Sequence, residues 1–162
     1  MSSILDISLA QQTLSLLDAD GALLARYAVS TALNGPGERA DSGCTPRGWH
    51  VIRARIGAGM PENTVFRGRR ATGEIYSPVL AERFPARDWI LTRILWLSGC
   101  ECGRNRLGAV DTMRRYIYIH GAPDSAAMGV AGSHGCIRMR NADIVELFER
   151  VPAYTRVLIR ED

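Results

Sequence analysis

The sequence predicts one mainly β domain spanning residues 1–162. Short runs in which apolar and polar residues alternate recur between Ile4 and Ile56, separated by Asp, Asn, Gly and Pro, the pattern of half-buried strands joined by turns. Only one stretch, near 142–151, repeats its apolar residues at helical spacing. With 46% hydrophobic and 23% charged residues over 162 positions, the chain has ordinary globular make-up and length enough for one core.

Taken in order, Ile4 to Leu9 alternates as a strand does, Thr13 to Leu17 repeats the pattern, and Asp18-Ala19-Asp20-Gly21 turns into a third strand from Leu23 to Ser30. Asn34-Gly35-Pro36-Gly37-Glu38 is a loop by its Gly and Pro content. Thr45-Pro46-Arg47-Gly48 turns into a strand from Trp49 to Ile56. From Gly57 to Pro78 the chain is Gly- and Arg-rich without periodicity, which predicts a long surface excursion, a candidate lid or substrate wall. Trp89 to Leu97 is apolar enough for a buried strand, Ser98 to Asp111 is a loop, and Arg115 to Ile119 is a strand that delivers His120. Ala131 to Arg140 holds too few apolar residues for a buried strand and reads as a loop, where catalytic groups concentrate. Asn141 is placed to cap a helix, with Asp143 in its first turn. Ile144, Leu147, Phe148 and Val151 form that helix's packing face, and Pro152 ends it. Arg156 to Arg160 is a closing strand.

All 20 basic residues are arginine, against 17 acidic ones, for a net charge of +3. They are scattered from Arg26 to Arg160 without an aromatic-interleaved stripe, which argues against a nucleic-acid surface. No stretch has the length and apolarity of a membrane span. Met1 to Leu9 has neither the basic nor the apolar part of a secretory leader, so the expected location is the cytoplasm, or the periplasm if a leader has been removed. Cys44, Cys100, Cys102 and Cys136 do not read as a disulfide framework. Cys100-Glu101-Cys102 lacks the second pair of a structural zinc site, so neither metal nor cofactor is expected.

The chemistry gathers at Gly132-Ser133-His134-Gly135-Cys136-Ile137-Arg138-Met139, read with Tyr118-Ile119-His120-Gly121. A thiol is a poor nucleophile until a base takes its proton or its pKa is lowered, and imidazole is the usual partner. His120 and His134 are available for that work. His120 ends a strand-like run, so a nucleophile and a candidate base stand on separate elements. Ser133 is a candidate third member that orients an imidazole, or else an ordinary loop hydroxyl bonded to local backbone.

His120-Gly121 followed by Ser133-His134-Gly135-Cys136-Ile137-Arg138-Met139 resembles the signature of the L,D-transpeptidase catalytic domain, the YkuD family. Thr45-Pro46-Arg47-Gly48 is similar to the family's Thr-Pro-x-Gly turn, and Ile4 to Val29 to its first hairpins. The resemblance is weakest between Gly57 and Val110. It implies a YkuD-like β-sandwich or mixed sheet with a C-terminal helix near 142–151 and a long irregular insertion. It implies Cys136 as nucleophile, His120 as base, and His134 shaping the loop. Backbone N–H groups near Gly135 and Cys136 would form an oxyanion hole. Arg138 would grip a substrate carboxylate, with Tyr118 and Gly121 on the substrate side.

The reaction implied is attack on the bond between the third stem residue's L-centre and the fourth-position D-alanine, leaving a thioester. Water as acceptor gives an L,D-carboxypeptidase acting on tetrapeptide muropeptides in cell-wall recycling, the expected function. An amine acceptor gives an L,D-transpeptidase that forms 3-3 crosslinks or exchanges D-amino acids. A non-catalytic peptide-binding module is the remote alternative. The expected partners are peptidoglycan stem peptides or muropeptides, with covalent carbapenem inhibition at Cys136.

Overall fold

A computed structural model describes residues 2–162. In chain order the elements are β1 (Ile4–Ser8), β2 (Thr13–Leu17), β3 (Leu23–Ser30), β4 (Gly48–Ile56), β5 (Thr64–Arg67), β6 (Arg70–Ile75), α1 (Pro78–Arg83), β7 (Ile90–Gly99), β8 (Tyr118–Ala122), β9 (Ile137–Arg140), α2 (Asn141–Arg150) and β10 (Arg156–Arg160). Eight of the strands close on themselves in the order β4-β10-β1-β2-β3-β9-β8-β7, with β7 returning to β4. Closure removes the unpaired edge that an open sheet would present. The sheet is mixed: β1–β10 and β8–β9 are parallel, and the other pairs in the ring are antiparallel.

Alternation decides which side chains go inside. Leu5 and Ile7 of β1, Leu14 and Leu16 of β2 and Val157 and Ile159 of β10 are all buried in one core. Between them Asp6 faces outward and accepts from Arg160 at 2.7 Å. Ile144, Leu147 and Phe148 of α2 complete this core, packed against β7, β8 and β9. Among the described residues no helix is long and apolar enough to cross a membrane.

Three expectations need correction. The stretch from Gly57 to Pro78 is not irregular: it holds the β5–β6 hairpin, which joins β7 through Val65↔Leu91 and Phe66↔Ile90. Its period of two is hidden because β6 is mostly exposed, so few of its positions need be apolar. The segment Ala131 to Arg140 is a loop only as far as Cys136. Ile137 and Met139 alternate with Arg138 and Arg140 in β9, the two apolar residues fully buried. Finally, Asn141 is not the cap of α2. Arg140 holds that position, while the Asn141 side chain turns inward to Thr92 (2.6 Å) and Asn63 (2.9 Å).

Candidate active site

Strand register brings the chemistry together. In the parallel β8–β9 pair Ile119 lies beside Ile137 and His120 beside Arg138. Side chains alternate between faces, so Ile119 and Ile137 enter the core while His120 and Arg138 share the opposite face. Cys136, two residues before Arg138, continues that face. A cavity of about 430 Å³ opens there, lined by His120, Ser133, His134, Cys136, Arg138 and Tyr118, and also by Gly68, Arg69, Asp88, Ile90, Arg115, Tyr116 and Ile117.

Cys136 is half-buried against the small apolar cluster of Phe66, Ile94 and Tyr118. Its Sγ accepts the Tyr118 N–H at 3.3 Å and directs its own hydrogen at the Tyr116 carbonyl at 3.4 Å. Burial pushes the thiol up to about 12, against the pull of the Tyr118 N–H and the Arg138 and Arg115 guanidiniums. The resting nucleophile is therefore S–H.

His120 is almost fully buried, and burial holds its imidazole below the ordinary 6.5. Its Nδ1 lies 2.6 Å from the Gly121 carbonyl oxygen. A carbonyl only accepts, so Nδ1 carries the hydrogen and Nε2 keeps the lone pair that a general base needs. A neutral thiol and a neutral base thus share one cavity.

The loop before Cys136 is pinned from two directions. Ser133 Oγ donates to the Cys136 carbonyl (2.6 Å) and accepts from the Gly135 N–H (3.2 Å). Thr45 Oγ1 donates to the Gly135 carbonyl at 2.9 Å, so the Thr-Pro turn braces the nucleophile's loop from β4's side. A Cβ at Gly135 would sit 3.1 Å from the Cys44 carbonyl oxygen, which leaves room only for glycine.

Four sequence-based expectations change here. Ser133 bonds loop backbone and no imidazole, as a short hydroxyl next to free amides does. The Gly135 N–H is occupied by Ser133 and is not an open oxyanion donor. Gly121 is buried behind His120, not on the cavity wall: a Cβ there would lie 2.6 Å from the Leu91 carbonyl oxygen, with Asn141 Oδ1 nearer still. Arg138 does reach the cavity, but its guanidinium bonds Asp88 Oδ1 and the Gly132 carbonyl, both at 3.2 Å. His134 is exposed at the mouth. Asp88, Arg69, Arg115 and Tyr116 were not identified from sequence. Asp88 and Arg69 come from far along the chain, whereas Arg115 and Tyr116 lie in the turn that leads into β8, which begins at Tyr118 and not at Arg115 as expected. Among the described residues no group of three or more His, Cys, Asp or Glu side chains is arranged to hold a metal.

The chain is similar to known proteins along nearly its whole length. The profile described as "L,D-transpeptidase catalytic domain", YkuD, matches residues 2–159. Over 54 residues, 33% of this chain, the sequence is 44% identical to the "Putative L,D-transpeptidase YqjB" of Bacillus subtilis. Over 43 residues, 26% of this chain, it is 51% identical to the "Probable L,D-transpeptidase YbiS" of Escherichia coli. These matches span 31% and 14% of the two relatives' own lengths. In fold, the chain is similar to L,D-transpeptidase 3 from Mycobacterium tuberculosis in complex with a faropenem-derived adduct. The TM-score is 0.60 at 15% identity, covering 99% of this chain and 60% of that one. With its profile matched over nearly its whole length, the chain belongs to the L,D-transpeptidase catalytic domain (YkuD) family.

Proposed function

We propose that this chain is a cysteine-dependent L,D-carboxypeptidase that releases the terminal D-alanine of tetrapeptide stem peptides. The observation that carries the chemistry is the pairing in one cavity of the Cys136 thiol with His120, whose Nε2 is free of its proton. Cys136 Sγ attacks the carbonyl carbon of the third stem residue while its proton passes to His120 Nε2. The tetrahedral oxyanion meets the Cys136 N–H, the amide next to the one that Ser133 occupies. The C–N bond then breaks, D-alanine leaves with the proton from His120, and a thioester remains. Water gives a proton to His120 Nε2 as its oxygen adds to the thioester carbonyl. The C–S bond breaks, the thiolate regains the proton, and the tripeptide leaves.

Hydrolysis is the outcome we favour, because water is the acceptor that needs no binding site of its own. The cavity at Cys136 adjoins a second one of about 450 Å³, and the two share Arg115, Tyr116, Ile117 and His134. An amine acceptor seated in the second would turn the same thioester to transpeptidation, the alternative outcome. The proposal extends to a cytoplasmic location among soluble muropeptides, checked by cell fractionation, and to acylation of Cys136 by carbapenems.

The test is incubation with disaccharide-tetrapeptide, with and without D-methionine, followed by mass spectrometry. A tripeptide product under both conditions is expected. A D-methionine adduct in place of tripeptide would make the chain a transpeptidase. No turnover with Cys136 intact would leave a peptide-binding module. A carbapenem mass shift that survived Cys136→Ser would remove Cys136 as the nucleophile.

A further inference from the structure

We infer that Arg69, at the tip of the β5–β6 hairpin, is the residue that reads the donor peptide's terminal carboxylate or the side-chain carboxylate of its diamino acid. The inference rests on the stem-peptide reading above and assigns its recognition to a residue outside the family signature.

Three guanidiniums line the cavity, and they differ in what they have left to give. Arg138 is already paired with the Asp88 carboxylate and bonded to the Gly132 carbonyl, so its charge is balanced before a substrate carboxylate arrives. Arg115 donates to the Gly37 carbonyl (3.2 Å), Ser42 Oγ (3.3 Å) and the Cys44 carbonyl (2.7 Å), which ties it to the loop before β4. Arg69 makes one hydrogen bond, from Nη1 to the Tyr118 hydroxyl at 3.1 Å, and no ion pair among the described residues. A guanidinium has five N–H donors, so most of this fork is open.

The fork is also held in place. Its central carbon stands over the rings of Trp96 (4.8 Å) and Tyr116 (4.7 Å), cation–π contacts that hold the guanidinium at the cavity wall without using its N–H donors. A fork fixed by these contacts and one hydrogen bond loses little freedom when it takes a carboxylate two-point fashion. The backbone argues in the same direction. Gly68 and Arg69 form a two-residue turn closed by Arg67↔Arg70, with φ of 56° and 65°. Asn or Gly is the ordinary occupant of the second position, so backbone comfort does not account for an arginine there. The route to the nucleophile is short: Tyr118 bonds Cys136 Sγ through its N–H and Arg69 through its hydroxyl. A carboxylate on Arg69 would stand about one tyrosine side chain from the scissile carbonyl, the scale that separates neighbouring groups on a peptide.

The test uses the full chain carrying Cys136→Ser, so that binding is read without turnover. It is titrated calorimetrically with disaccharide-tetrapeptide and with two mono-amides of it. One amide is at the terminal D-alanine carboxyl, the other at the side-chain carboxyl of the diamino acid. Adding Arg69→Ala is expected to weaken tetrapeptide binding about ten- to a hundredfold, the scale of a charge-assisted pair of hydrogen bonds. It should cost nothing further with the amide that lacks the recognised carboxylate and the full loss with the other, which identifies the carboxylate. Arg69→Lys should recover part of the affinity. Alanine keeps a Cβ at the left-handed position, so the turn is strained no more than before, and near-UV dichroism checks the hairpin. An equal loss with both amides would make Arg69 a mere latch for the hairpin and overturn the inference, as would no loss at all. Tetrapeptide that fails to bind the chain with Arg69 intact would defeat the stem-peptide reading as well; binding indifferent to Arg69 would defeat this inference alone.

Discussion

The floor of the cavity is the β8–β9 pair and one wall of it is the β5–β6 hairpin, and the two are held by very different numbers of neighbours. Ile119, Ile137 and Met139 on the floor are fully buried, β8 is paired on both edges, and α2 packs behind it. The hairpin is anchored by Val65 and Phe66, while β6 is almost wholly exposed. The proposed reacting groups stand on a strand pair enclosed on both sides, and the proposed reader of the substrate stands on a hairpin largely open to water. Rigid elements hold a nucleophile and base in reacting geometry, whereas a projecting hairpin varies at little cost to the core.

The largest effect that would test this contrast is on turnover. Cys136→Ser and His120→Gln should each lower the rate of tripeptide release by about a thousandfold or more, and the double variant by little more than either, because the two act as one unit. Arg69→Ala should raise KM and leave kcat within about threefold, since it removes binding that ground and transition states share. Mass-spectrometric product counts under saturating and limiting tetrapeptide separate the two patterns. A fall in kcat alone for Arg69→Ala would move the chemistry onto the hairpin and end the distinction.

Next in size is Gly121→Ala. The added carbon would meet the Leu91 carbonyl at 2.6 Å and Thr92 Cβ at 3.0 Å, with Asn141 Oδ1 closer than either. Backbone on one side and a buried side-chain network on the other leave nothing free to give way. The expected loss is about 3 kcal/mol, the upper end for overpacking a tight core, read from urea unfolding.

How much of this was legible in the sequence follows the same division. The strands from Leu5 to Val29 could be read because one face is core and the other is water, so composition carries the alternation. Cys136 and His120 stand out in the sequence because a thiol and an imidazole among glycines have few structural uses, and the fold brings both to one cavity. β9 was hidden by Arg138 and Arg140, whose charges mask two fully buried neighbours in a strand of four residues. Arg69 and Asp88 carried no local signal, since what gives each a role is a partner far along the chain: Trp96 and Tyr118 for one, Arg138 for the other. Ser133 admits two readings in the sequence, and the backbone one holds because its nearest acceptor is the carbonyl three residues on.

Titration offers a third, smaller test. Burial keeps His120 neutral below its ordinary 6.5, so the base stays competent as pH falls through that value. Plots of kcat/KM against pH should hold their plateau to lower pH than a base with an ordinary imidazole pKa would allow. Burial raises the Cys136 thiol, so iodoacetamide alkylation at that residue should climb about tenfold per pH unit from 7 to 10, with no levelling at 9. Levelling near 9 would mean that water reaches the thiol as freely as it reaches the hairpin.

The smallest effect expected is at Gly73, and it completes the comparison because the substitution is the one made at Gly121. A Cβ at Gly73 meets nothing within 4 Å, so packing contributes no penalty. What remains is φ of +89°, a backbone conformation that alanine adopts only with strain. Gly73→Ala should therefore cost about 1 kcal/mol, about a third of the loss at Gly121, with kcat unchanged. The same methyl is added at both sites, so the comparison sets backbone strain without contact at Gly73 against contact without backbone strain at Gly121. A loss at Gly73 well beyond what its φ accounts for would mean that the hairpin is as tightly enclosed as the strand pair beneath the thiol.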